Sequence, residues 1–554
     1  MFLGFLALVA QAALALALTT VQLDSATVTG TSSGRISKFF GIPFAKSPTG
    51  VRRFRLPEPN DPYNTSFNAF SMGPSCPQQA LRLPIRTGLD LVDETVNAVV
   101  NDVYGIAFPD SEDCLTINVI TPANAAPDSK LPIVAWIFGG VYAYDGTSIV
   151  ERSIELGQPV IYVSMNYRLS GFGFLASKEV KEAGVGNLGL QDQREALRWI
   201  QKYIGAFGGD PTKVTIWGES AGAISVALHM LADGGDTEGL YRAAFMQSGS
   251  PIPVGDITNG QICASSAVLS SSAEVLNGFN ADYDSVVRDS GCSESTDTLA
   301  CLRTVPYSTL KAAIDATPNF FDYQSLRLAW LPRADGVFLT DAPMELVRQG
   351  RVANIPIVSG DCDDEGTLFS FSTLNVTTED EVRTYVKTVF FPEITDQELD
   401  NLMRLYPQDP AQGSPYDTGY LNFITPQFKR FASVQGDAVF QGPRRFFLEN
   451  LSGKQNIWSF LSKRAKLTPF LGSFHSSDIF NVYGRGKLTD YLIRFATTLD
   501  PNGSGTPEWP KYTTESPQLL TFVDDLLAPT RITQDTYRKE PMGALIGIIL
   551  KHPI

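Results

Sequence analysis

The pentapeptide Gly218-Glu219-Ser220-Ala221-Gly222 sets a serine between glycines, directly after the apolar alternation Val214-Thr215-Ile216-Trp217 and directly before the helix-favouring run Ala223 to Met230. That order predicts a strand, a sharp turn and a helix, and the turn would lift the Ser220 hydroxyl above a sheet edge with a helix N-terminus behind it. A serine so presented is a nucleophile candidate. The same five residues without their strand and helix would be an ordinary glycine turn.

A serine nucleophile needs a base within hydrogen-bond reach, and the chain has three histidines, His229, His475 and His552. His229 lies nine residues into the helix after Ser220, about 13 Å along its axis, and reads as a packing residue. His552 stands two residues from the chain end, where a base would be poorly held. His475, in Gly472-Ser473-Phe474-His475-Ser476-Ser477-Asp478, has the loop setting of a base presented above a sheet. With the chain order nucleophile, acid, histidine, the acid falls between 220 and 475. Glu365, in Asp361-Cys362-Asp363-Asp364-Glu365-Gly366-Thr367, follows a predicted strand, but Asp363 and Asp364 compete with it on composition alone. An acid here would hold the histidine tautomer and stabilise its imidazolium. For a developing oxyanion, the loop Phe138-Gly139-Gly140-Val141-Tyr142 after a strand offers backbone N–H donors, completed by that of Ala221.

Elements able to position these groups are legible around them. Strand-length apolar runs occur at Thr116 to Ile120, Leu131 to Phe138, Val160 to Ser164, Ala243 to Ser248 and Ile355 to Ser359, and Gln193 to Phe207 reads as a helix. This alternation predicts an α/β fold, a large and mostly parallel doubly wound sheet with helices on both faces. Val21 to Phe44 suggests a small N-terminal antiparallel strand set, and 263–350 and 376–450 read as helical insertions over the sheet. Between Cys76 and Cys114, Leu89, Val92, Val96, Val99 and Val103 recur at helical spacing. That amphipathic helix is either a surface helix or a lid over an acyl-binding cleft.

Composition narrows the class. The chain has 554 residues, 43% of them hydrophobic, with 34 Phe and 19 Tyr, which suits one large globular domain over residues 19–554. The net charge of −15, with no Lys/Arg run longer than two, argues against nucleic acid and anionic membrane surfaces as partners. The apolar run from Phe2 to Leu18, with small residues at Ala15 and Ala17, predicts a secretory signal peptide over residues 1–18 rather than an integral membrane anchor. Sequons at Asn64, Asn375, Asn450 and Asn502 and six cysteines fit an oxidising, extracellular setting. Counting leaves the cysteine pairing open, with Cys263 and Cys362 either joined or free.

Two long stretches, Phe207-Gly208-Gly209 through Gly222 and Glu112-Asp113-Cys114-Leu115-Thr116-Ile117-Asn118-Val119, identify a resemblance to the type-B carboxylesterase/lipase family of α/β-hydrolases, in its fungal Candida rugosa lipase and sterol esterase-like branch. The resemblance runs from about residue 20 to the end. It implies Ser220 as nucleophile, Glu365 as triad acid and His475 as base. It further implies disulfides Cys76–Cys114 and Cys292–Cys301, a lid over 77–113, ion pairs Arg53 with Glu112 and Arg168 with Asp192, and Ser248 and Gly139 beside the triad. The family's oxyanion loop usually carries three glycines before an aromatic residue, and here Val141 replaces the third. Residues 77–113 contain no tryptophan to receive a choline cation, which disfavours choline esters.

The expected function is a secreted serine carboxylic-ester hydrolase working through an acyl-enzyme on fatty-acyl esters of lipid or sterol type, with transient lipid contact through the lid and no metal or cofactor. An aryl or cinnamoyl (feruloyl-type) esterase is the alternative within the class. A catalytically silent, cholinesterase-like binding module is the alternative outside it.

Overall fold

Strand-forming runs that are apolar on both faces dictate a sheet covered from both sides. The computed structural model describes residues 17–82, 109–139, 145–258 and 281–554. Among these, thirteen strands build one sheet: β1 (Ala17–Leu23), β2 (Ala26–Ser33), β3 (Ile36–Pro43), β4 (Phe67–Asn68), β5 (Thr116–Pro122), β6 (Leu131–Ile137), β7 (Ile161–Met165), β8 (Gly209–Glu219), β9 (Ala243–Gln247), β10 (Ile357–Cys362), β11 (Ile457–Lys463), β12 (Gln518–Val523) and β13 (Thr530–Gln534). The spatial order is β1-β2-β3-β5-β7-β6-β8-β9-β10-β11-β12-β13, with β4 beside β2. From β7 to β12 the neighbours run parallel. The antiparallel N-terminal strands continue into them through the β5–β7 pair, so they form one end of the same sheet.

Every residue of β7 and β9 is buried, and Trp136 of β6 meets Trp217 of β8 with ring centroids 4.2 Å apart. After β6 the chain crosses to β7 on one side. It returns through helix α1 (Leu188–Tyr203), which a tighter turn extends to Phe207, to β8 on the other side. This reversal opens a crevice at the carboxyl ends of β6 and β8, where Ile137 pairs with Gly218 in register. β8 runs into helix α2 (Ala221–His229). In the first predicted insertion, Ala281–Asp289, Thr298–Thr304, Tyr307–Asp315 and Pro343–Arg348 are helical. In the second, α3 (Phe428–Gly436) continues through a wider π turn at Asp437–Gln441 into α4 (Gly442–Leu451).

Both implied disulfides are present, Cys76–Cys114 and Cys292–Cys301. Arg53 donates to Glu112 through Nε at 2.6 Å and Nη2 at 2.7 Å, and Arg168 grips Asp192 at 2.8 and 2.6 Å. Cys362 is a buried free thiol, while Cys263 lies outside the described residues. So do residues 1–16 of the predicted signal peptide and 83–108 of the predicted lid; β1 begins two residues inside the predicted leader. Asn64 and Asn375 are exposed, whereas the side-chain amides of Asn450 and Asn502 donate to Phe446 O and Trp509 O.

Candidate active site

Ser220 stands between β8 and α2 with φ 56° and ψ −127°, a backbone state that a non-glycine residue occupies only when its surroundings hold it there. The Ser220 amide donates to Gln247 O at 3.0 Å, and its carbonyl accepts from Ile224 N–H at 2.9 Å. The flanking glycines are required by contact. A Cβ on Gly218 would lie 2.4 Å from the Gly222 backbone, and one on Gly222 would lie 2.0 Å from Ile137 O.

His475 Nε2 lies 2.7 Å from Ser220 Oγ, and its Nδ1 lies 2.6 Å from Glu365 Oε2. The other oxygen of Glu365 accepts the Cys362 amide at 2.6 Å. His475 and Glu365 come from loops after β11 and β10, and Asp364 ties those loops together. Its amide donates to Ser473 O at 3.0 Å, its Oδ2 accepts Ser473 N–H at 2.8 Å, and its Oδ1 accepts Ser414 Oγ–H at 3.0 Å and Tyr416 N–H at 2.8 Å. Lys466 Nζ reaches Asp363 at 2.5 Å and Asp364 at 2.7 Å. The two aspartates that compete with Glu365 in sequence are therefore scaffold, and Glu365 alone of the three meets the histidine.

Gly139 lies directly over the elbow, since a Cβ there would be 2.8 Å from Ser220 Cβ and 3.2 Å from the Ala221 nitrogen. Ala221 opens α2, where the first amides have no partner within the helix. Gly140 and Val141, the other expected donors, lie outside the described residues. Of the described residues on either side, Phe138 O accepts Tyr167 Oη–H at 2.6 Å, and Asp145 pairs with Lys38 at 2.7 Å.

A family model described as the carboxylesterase family matches residues 17–540. The chain belongs to the carboxylesterase family. Among its relatives, Lipase 2 of Diutina rugosa is 42% identical over 526 residues, covering 91% of each chain. The secreted triacylglycerol lipase LIP1 of Gibberella zeae is 38% identical, covering 94% of this chain and 89% of the relative. The crystal structure of Aspergillus niger EstA superposes with a TM-score of 0.78 at 26% identity, covering 97% of this chain and 99% of that one. This carboxylesterase is thus a hydrolase of the carboxylesterase/lipase type with an α/β-hydrolase fold.

Within the carboxylesterase, burial dominates the charges around the triad. It lowers His475 below its ordinary value, which keeps the resting ring neutral, while the carboxylates of Glu219 and Asp478 oppose that shift. Burial raises Glu365 well above the usual carboxylate range; hydrogen bonds from the Ser248 hydroxyl and the Cys362 amide favour its ionised form. The rings of Phe369 and Phe440 pack at 5.1 and 4.7 Å from that of His475 and exclude water from it. Phe440 belongs to the π turn between α3 and α4.

A cavity of about 350 Å³ opens on Ser220 and His475. Phe320, Leu328, Trp330, Leu331, Phe369 and Val439 line it, and its surface is mostly apolar. His229 is elsewhere, buried with Nε2 2.8 Å from Gln193 Oε1 and held neutral by burial, and His552 lies beside Glu393 and Glu398.

Glu219 is the site residue that sequence reasoning passed over, although it stands inside the pentapeptide. It is buried, and burial first of all pushes it up to about 7. Asp478 was likewise unassigned; it accepts Gln247 Nε2–H at 2.8 Å, and Gln247 in turn accepts Trp217 Nε1–H at 2.7 Å. This chain of bonds fixes the floor beneath the histidine loop.

Proposed function

We propose that this carboxylesterase hydrolyses fatty-acyl esters of neutral lipids outside the cell through an acyl-enzyme on Ser220. Ser220 Oγ attacks the ester carbonyl carbon as its proton passes to His475 Nε2, and Glu365 holds the Nδ1–H tautomer and stabilises the imidazolium. The amides of Ala221, Gly140 and Val141 receive the oxyanion. Collapse expels the alcohol, which takes the proton from His475 Nε2. Water, deprotonated by the same nitrogen, then attacks the acyl carbon and releases the acid and the free Ser220 hydroxyl.

The observation that carries this reading is the 2.7 Å contact of His475 with a strained, outward-held Ser220 at the mouth of an apolar cavity. The lipid substrate class is supported by that lining and by relatives named lipases. Export is supported by the apolar N-terminal run, the two disulfides and relatives named secreted lipases. Aromatic rings at Phe320, Trp330 and Phe369 favour one second reading, an aryl-acyl ester substrate. Initial rates on p-nitrophenyl esters from acetate to palmitate, beside a methyl cinnamate series, decide between them. Rates that rise with chain length support the fatty-acyl reading, and a preference for cinnamates supports the second.

A further inference from the structure

Large apolar side chains stand out in solvent on three loops at the end of the sheet that carries Ser220 and His475. Leu467 and Phe470 lie on the loop that leaves β11 and ends in His475, and Leu467 is 92% exposed. Leu526 and Leu527 form the tip between β12 and β13 and are 99% and 97% exposed. Leu421 and Phe423 lie on the loop that joins Asp364 through Ser414 and Tyr416.

The three loops are joined to one another. Phe470 N–H donates to Asn422 Oδ1 at 3.2 Å, Lys466 N–H donates to Asp524 Oδ2 at 3.1 Å, and Lys463 Nζ reaches Asp417 at 2.9 Å. Scattered exposed leucines are ordinary on a protein surface, but a cluster on linked loop tips marks an interaction surface. Leu467, Leu526 and Leu527 are almost wholly exposed on separate loop tips, which suits insertion into a fluid apolar phase. Three neighbouring cations pair with acids, Lys463 with Asp417, Lys466 with Asp363 and Asp364, and Arg464 with Asp524, and a fourth, Lys429, is buried and donates to Thr418 Oγ1 and to the Gly419 and Leu421 carbonyls. With a chain charge of −15, that neutral setting suits an uncharged lipid surface and not an anionic bilayer.

We infer that Leu421, Phe423, Leu467, Phe470, Leu526 and Leu527, all outside residues 77–113 in sequence, form a docking surface for a neutral lipid-ester phase. It rests on the fatty-acyl reading above, because the loops after β11 and β12 lie at the same carboxyl end of the sheet as Ser220 after β8, so docking there brings that end of the molecule to the boundary where such esters reside. The loop bearing Leu467 and Phe470 runs directly into His475, so the apolar tips and the base share one rigid connection.

The test compares the parent with the triple variant Leu467→Ser, Leu526→Ser, Leu527→Ser. Flotation with a triolein emulsion is done in a Ser220→Ala background, so that binding is read without turnover. Partition of the triple variant is expected to fall roughly 30-fold or more. With Ser220 in place, hydrolysis of soluble p-nitrophenyl butyrate is expected to stay within about twofold of the parent, as for surface changes away from a site. Unchanged partition onto triolein overturns the docking surface while the ester reading stands. So does partition of the parent onto phosphatidylglycerol vesicles alone, or a loss of self-association in place of a loss of lipid binding. A parent that hydrolyses neither ester overturns the ester reading itself.

Discussion

Glu219 Oε1 lies 3.6 Å from His475 Nε2 and accepts the Ser476 hydroxyl at 2.5 Å. His475 therefore has one carboxylate at Nδ1 and a second beside Nε2, the nitrogen that faces Ser220. A proton taken up at Nε2 would leave the cation beside both carboxylates in a buried setting, where charges interact more strongly than in water.

Glu219→Gln keeps the shape and removes that charge. Because the Glu219 charge raises His475, the acid limb of kcat/KM is expected to move to lower pH, and kcat/KM to fall roughly tenfold as the imidazolium loses that charge. A pH–rate profile on p-nitrophenyl butyrate checks both.

The same substitution has a stability signature. A carboxyl raised from 4.5 to about 7 holds a proton in the folded state that the unfolded chain has already released, so stability falls as pH rises through that window. Glu219→Gln removes the fall. Relative to the parent, the variant should gain on the order of 3 kcal/mol between pH 4.5 and 8, read from urea unfolding at the two pH values.

Glu365→Gln tests the orientation of the base. The amide leaves the fold intact but favours the wrong histidine tautomer, so kcat should drop roughly 10³- to 10⁴-fold with KM little changed. A loss below about tenfold would transfer the role to another group.

Asp364 joins the loops that carry Glu365 and His475 and does not hydrogen-bond the histidine. Asp364→Ala strands the Ser473 and Tyr416 amides and the Ser414 hydroxyl and leaves Lys466 to Asp363 alone, so unfolding free energy should fall by about 3 kcal/mol. Urea melts measure this, and the kcat of the folded fraction should fall with it as His475 loosens.

How far the sequence reaches is seen in these residues. The elbow was legible because its requirements are local: a strand, two small residues and a helix. His475 was legible because the chain has so few histidines. Glu365 was not separable from Asp363 and Asp364 by composition, since what distinguishes them is Lys466, about a hundred residues away in the chain. The resemblance supplied the choice that residue type could not. Glu219 stayed hidden because its part depends on burial, which three packed elements impose. Strands β11 to β13 were not among the predicted ones, although Ile457-Trp458-Ser459-Phe460-Leu461 has the apolar content of a buried strand.

The cavity gives a specificity prediction. Leu328 lines it and is only partly buried, so Leu328→Trp should fill space at a cost of about 1–3 kcal/mol in stability. Rates on p-nitrophenyl palmitate are expected to fall at least about tenfold, the worth of a few blocked methylene contacts, while acetate is spared. Equal losses on both esters would place the acyl chain elsewhere.

The central claim is that Ser220 carries the acyl group. The direct measurement is intact-protein and peptide mass spectrometry after acid quench of a p-nitrophenyl butyrate reaction. One butyryl adduct is expected, on the peptide containing Ser220, and it is absent from Ser220→Ala together with hydrolysis. Turnover at parental rate in Ser220→Ala, or an adduct on any other residue, would contradict it.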